Sequence, residues 1–143
     1  MNMAIFISHS PAQTEAFAQS VGKNAQPGWV IGLLGDLGAG KTQFVKGLAQ
    51  GLGVTELVLS PTFALVHAYT SGRLPLHHLD FYRLESQAQI IAAGLDQYLT
   101  PPGVAVIEWW DRWQNPDPPF LRRFRLEALN ETDRSIAYDD FGA

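Results

Sequence analysis

Eight residues, Gly35-Asp36-Leu37-Gly38-Ala39-Gly40-Lys41-Thr42, constrain this chain more than any other stretch of it. They fit G-x-x-x-x-G-K-[ST], a loop whose backbone wraps a phosphate. Gly35 and Gly40 permit positive φ and close approach of backbone to a ligand. The loop's N–H groups then converge into an anion nest. Lys41 brings a compact cation toward the β- and γ-phosphates, and the Thr42 hydroxyl suits Mg²⁺. A helix starting here turns its positive end toward the same anion.

The flanks supply the context that such a loop requires. Trp29-Val30-Ile31-Gly32-Leu33-Leu34 is a short apolar run, the pattern of a buried parallel strand. Beyond the loop, Phe44, Val45, Leu48, Ala49 and Leu52 recur at helical spacing, and Gly53 suits a helix C-terminus. Strand, loop and helix in that order predict an α/β domain. With 143 residues, 46% of them hydrophobic, the chain suits one domain spanning 1–143. The expected fold is that of P-loop NTPases: a mostly parallel central sheet flanked by helices, with antiparallel additions.

The remaining elements follow from periodicity and punctuation. Residues 3–7 predict a strand. Ser10-Pro11-Ala12-Gln13 predicts a helix start, running to about Gly22. Leu57-Val58-Leu59 is apolar and ends at Ser60-Pro61. Phe63 to Tyr69 and Leu74 to Asp80 flank a turn at Thr70-Ser71-Gly72-Arg73 and predict an antiparallel pair. Gln87 to Ala93 and Leu95 to Leu99 are short helical pieces, and Val104 to Ile107 is a second fully apolar strand. After a proline-rich loop at 115–119, Arg122 to Leu129 and Ser135 to Tyr138 predict two strands. In the first, Phe124, Leu126 and Ala128 alternate with Arg123, Arg125 and Glu127, so one face meets solvent.

Composition narrows the function classes. The net charge is −4, with no stripe of Lys and Arg, which argues against tight direct binding to a nucleic-acid backbone. There is no cysteine, hence no disulfide framework or thiol chemistry. No apolar stretch approaches membrane-spanning length, and Met1 to Ile7 lacks the basic lead of a signal sequence. A cytoplasmic protein without membrane contact is the expectation.

Phosphate hydrolysis also needs Mg²⁺ and an acid at the end of a neighbouring strand. Glu108, ending the uninterrupted apolar run 104–107, is the first choice for the Mg²⁺ shell. Asp80 ends a strand carrying Pro75 and two histidines, which predicts an edge or outer position, and is assigned a water-orienting or supporting role. Thr62, in Ser60-Pro61-Thr62-Phe63, lies where a switch sensing γ-phosphate or Mg²⁺ would sit; a plain Ser-Pro turn closing a strand at 57–59 is the equal alternative. His77 and His78 are adjacent, so on a strand they face opposite ways and cannot easily share one metal. Trp109, Trp110 and Trp113 are candidates for a stacking or partner surface, or for core. Arg83 and Arg112 follow the two acids and are expected in surface ion pairs rather than at a transition state.

Taken in order, these blocks resemble a bacterial family of small P-loop ATPases, TsaE (also called YjeE). The match rests on the 35–48 segment, Ser60 to Val66, His78-Leu79-Asp80-Phe81-Tyr82-Arg83-Leu84, Gly94-Leu95-Asp96-Gln97-Tyr98 and Ile107-Glu108-Trp109. It covers most of residues 30–113 and is looser outside them. Gln43 and Ala64 depart from the hydroxyl residues frequent at those places. The resemblance implies an ATP-binding, ATP-hydrolysing protein needed for the N6-threonylcarbamoyladenosine modification of tRNA. It implies action on the partners TsaD and TsaB, with TsaC upstream and tRNA held only through partners. Lys41 and Thr42 would carry phosphate and Mg²⁺, and Glu108 Mg²⁺. Asp80 and Thr62 would belong to the catalytic or switch set, with Trp109 beside the site. Ser8 or Ser10 and Arg134 would contact the nucleoside. The main alternative is a small-molecule kinase with the same loop, although the chain is short for an acceptor pocket and a lid. A GTPase would need an Asn-Lys-x-Asp segment, which is absent. A nucleotide-gated adaptor without turnover is opposed only weakly, by Asp80 and Glu108.

Overall fold

The computed structural model describes residues 2–36, 38–61 and 64–140. The elements are β1 (Asn2–Ser8), α1 (Pro11–Asn24), β2 (Val30–Leu34), α2 (Lys41–Gly51), β3 (Val66–Tyr69), β4 (Leu76–Asp80), α3 (Gln87–Ala92), β5 (Val104–Glu108), β6 (Leu121–Ala128) and β7 (Arg134–Asp140), with 3₁₀ turns at Leu95–Leu99 and Trp110–Arg112. Among the described residues the strands form one sheet in the order β1-β7-β6-β2-β5-β4-β3. β6, β2, β5 and β4 run parallel, while β3 on one side and β7 with β1 on the other pair antiparallel. The expected parallel centre with antiparallel additions is the observed sheet.

Strand alternation builds two cores, one on each face. Ile31, Leu33, Val104 and Val106 pack with Ala18 of α1 and with Phe44, Val45 and Leu48 of α2. Val30, Ala105, Ile107 and Leu79 pack on the other face with Ile90, Leu95, Trp110 and Trp113. Burial on both faces is why 30–34 and 104–107 read as continuous apolar runs rather than alternating ones. Among the described residues no helix is long and apolar enough to cross a membrane.

Three boundaries differ from the sequence expectation. α1 begins as predicted, with the Ser10 side chain accepting from Gln13 N–H at 3.1 Å, but continues to Asn24. Its last carbonyls have a partner that sequence spacing does not reveal. The Arg73 guanidinium, from the β3–β4 turn, donates to the carbonyls of Gly22, Lys23 and Ala25 at 2.7, 3.0 and 2.9 Å, a cation at the negative helix end. Gly22 itself meets α2, where a Cβ would stand 2.4 Å from the Leu48 carbonyl oxygen. Leu57-Val58-Leu59 forms no strand; Leu57 and Leu59 are exposed. β3 starts only at Val66, after Leu65 at φ 69° breaks the extended run.

β4 takes the outer of the two expected positions: it lies one strand in from the edge, in the expected antiparallel pair with β3. Pro75 stands just before its first residue, where a missing N–H costs the ladder nothing.

Candidate nucleotide-binding site

The loop at 35–42 joins the C-terminal end of β2 to the start of α2. Gly40 is the residue preceding the helix, at φ 99°, a conformation that side chains resist. Gly35 has φ 148°, and a Cβ on it would lie 2.4 Å from the Leu126 carbonyl oxygen of β6. The motif's first glycine is therefore required by close packing of the loop on the neighbouring strand.

Asp80 and Glu108 end adjacent parallel strands and stand in register with each other. Both are buried. Like charges side by side across two strands repel, and the surroundings offset this. Asp80 Oδ1 accepts the Tyr82 backbone N–H at 2.8 Å. His78 Nε2 donates to Glu108 Oε2 at 2.6 Å. Lys41 is 5% exposed; its Nζ donates to the Gly35 carbonyl at 2.6 Å and lies 3.8 Å from the centre of the Trp109 ring. Burial pulls the Lys41 ammonium below the ordinary lysine range, against the fields of Glu108, Asp80, Asp111 and Asp36, which favour its charge.

These groups line one cleft of about 480 Å³. Gly38, Gly40, Lys41, Thr42, Ser60, Asp80, Tyr82, Glu108 and Trp109 are on its walls, with Pro11, Gln43 and Arg134. The tertiary structure thus gathers Lys41 with Thr42, Asp80, Glu108 and Arg134 from four places in the sequence. Of the loop residues, Gly35, Asp36 and Ala39 line a second hollow of about 470 Å³ on the far side of Trp109, with Arg125 and Glu127. Ser10 caps α1, Ser8 bonds the Thr14 hydroxyl at 2.7 Å, and the cleft is lined by Pro11 rather than by either serine. Arg134 is anchored by its own hairpin, donating to the carbonyls of Asn130 and Asp133 at 2.9 and 3.0 Å. Leu37 and Thr62 lie outside the described residues.

The tryptophan cluster divides. Trp110 and Trp113 are core, whereas Trp109, at φ 58°, is half-buried, lines both hollows and lies tilted against the Tyr82 ring, with centroids 5.0 Å apart. Arg112 lies over the Trp109 ring at 5.4 Å. Two site groups were not assigned from sequence: the Tyr82 backbone N–H and His78. His78 had a readable signal, since residues 78 and 80 share one face of a strand.

The oxygen donors present suit a hard divalent cation. Thr42, Asp80 and Glu108 line the same cleft, and Mg²⁺ favours a few oxygen ligands with the rest from phosphate and water. Among the described residues no group of three or more His, Cys, Asp and Glu forms a metal site by itself, so the phosphates and the Thr42 hydroxyl would have to complete the shell.

Residues 8–136 match the family model described as "Threonylcarbamoyl adenosine biosynthesis protein TsaE". The chain belongs to the TsaE family. It is 39% identical over 133 residues to the tRNA threonylcarbamoyladenosine biosynthesis protein TsaE of Bacillus subtilis, covering 93% of this chain and 83% of that one. The protein of the same name from Treponema pallidum is 41% identical over 130 residues, covering 91% and 96%. The crystal structure of Bacillus subtilis YdiB superposes with a TM-score of 0.77 at 33% identity, over 96% of this chain and 84% of that one. This TsaE chain therefore has the P-loop NTPase fold, with its strand–loop–helix at the middle of the sheet.

Proposed function

We propose that the chain binds ATP with Mg²⁺ and hydrolyses it, and that this serves formation of the N6-threonylcarbamoyladenosine modification of tRNA in the cytoplasm. The observation that carries this reading is the convergence of Lys41, Thr42, Asp80 and Glu108 on one cleft. Family membership supports the pathway.

The residues divide the work. The loop N–H groups and the α2 N-terminus hold the phosphates. Lys41 exchanges the Gly35 carbonyl for phosphate oxygens, which suit a buried cation better than a neutral partner does. Thr42 and Glu108 would hold Mg²⁺, which when bound neutralises charge on the β- and γ-phosphate oxygens. Asp80, tied by Tyr82 N–H, orients the attacking water, with Thr62 as the γ-phosphate sensor. Arg134 would contact the nucleoside, and Ser10, which caps α1 and does not line the cleft, would act on that side only through the turn that carries Pro11. TsaD and TsaB are the proposed partners that control turnover, TsaC acts upstream, and tRNA is met only through them.

The test is phosphate release from ATP by the purified chain, alone and with TsaD and TsaB. Slow release that rises on adding the partners is expected. No release in either case would sink the ATPase reading, and transfer of phosphate to a metabolite instead of water would favour a small-molecule kinase.

A further inference from the structure

We infer that His78 is a positioning residue for the metal-side carboxylate: it holds Glu108 in the conformation that Mg²⁺ binding needs. The inference rests on the proposal that Glu108 takes Mg²⁺. Three observations carry it. His78 Nε2 stands 2.6 Å from Glu108 Oε2, on the face of the sheet that also bears Asp80. The histidine is 1% exposed, so water cannot replace it as Glu108's donor at that oxygen. Its Nδ1 is buried and has no hydrogen-bond partner among the described residues. Glu108 is therefore the polar contact, among the described residues, that explains a histidine in this place.

The geometry also says what the contact does. Glu108 has Asp80 beside it in register. Without a donor its carboxylate would rotate away from that like charge. The histidine fixes one oxygen and leaves the other for the cleft that Glu108 lines. Ligating carboxylates are commonly held this way by a hydrogen-bond partner, and loss of such a partner weakens metal binding about 10–100-fold. A histidine placed merely to fill the core would have its nitrogens satisfied elsewhere or be replaced by an apolar side chain of the same size.

The experiment is calorimetric titration of MgCl₂ into the full chain saturated with ADP, which removes turnover from the readout. His78→Leu is expected to weaken Mg²⁺ about 10–100-fold, with ADP affinity in EDTA unchanged. His78→Gln, whose amide nitrogen reaches the position of Nε2, is expected to restore it. His78→Asn is one bond too short and should not. Wild-type Mg²⁺ affinity in folded His78→Leu overturns the inference. If that variant does not fold, equal affinities for His78→Gln and His78→Asn overturn it. Glu108→Gln separates the two layers: unchanged Mg²⁺ binding there removes the metal role of Glu108 itself, whereas weakened binding there beside unaffected His78 variants removes only the positioning role.

Discussion

The centre of the sheet and its β7–β1 flank are built differently, and the cleft has one wall from each. At the centre, β2 and β5 are buried on both faces, and Glu108 and Asp80 at neighbouring strand ends, with Lys41 at the start of α2, are almost wholly enclosed. On the flank, β1 alternates: Met3, Ile5 and Ile7 are 64%, 67% and 41% exposed, while Ser8 is buried. Arg134, which begins β7, is only half-buried. A charge held by a packed strand end has few conformations and meets little water. A charge held by a hairpin has more of both. Under the proposed function, phosphate and metal belong to the centre and nucleoside contacts to the flank.

That contrast breaks first, if it breaks, at Lys41. Lys41→Ala is expected to lower ATP turnover about 10²–10³-fold, the scale for removing one transition-state donor, as measured by phosphate release. Turnover near the wild-type level would move the phosphate site elsewhere. Next is the packing beneath it. Ile31→Ala, wholly buried in β2, should cost about 3 kcal/mol of stability in urea unfolding; a cost below half of that would mean the centre is less tightly packed than its burial states. On the flank wall, Arg134→Ala should weaken ATP binding by about tenfold, one surface-accessible charge's worth, with turnover at saturating ATP kept. A loss as large as that of Lys41→Ala would erase the distinction between the walls.

Smaller effects sharpen it. Burial holds the His77 imidazole below its ordinary 6.5. The unfolded chain therefore binds this proton at a higher pH than the folded one does, and stability falls as pH drops below about 6.5. Melting temperatures at pH 7.5 and 5.5 should differ less in His77→Gln than in the wild type; an equal difference removes His77 as a cause. Last, Ile5→Ser on the exposed face of β1 should change stability by less than about 0.5 kcal/mol, and a larger loss would mean that this face is covered in solution.

Much of this was legible because it is local. The loop residues, the apolar run before them and the helical period after them are contiguous, so backbone chemistry alone placed strand, nest and helix. The Ser10 cap and the alternation of Phe124 with Arg125 are likewise near-neighbour physics. The choice of Asp80 and Glu108 was also available, since each ends a strand. What escaped was set by distant pairing. Sequence cannot say that Arg73 reaches the carbonyls ending α1, that β4 lies against β5, or that Leu57 to Leu59 stays outside the sheet. His77 and His78 show the limit well. Alternation alone separated their faces, but only the register of β4 on β5 brought His78 to Glu108 and left His77 against Tyr98. The chain by itself determined the strand, the glycine loop and the helix after it, and offered two strand-end acids as candidates, because those depend on residue type and short spacing. The sheet decided which strand ends meet and how enclosed each charge is, because those depend on partners far away in the chain.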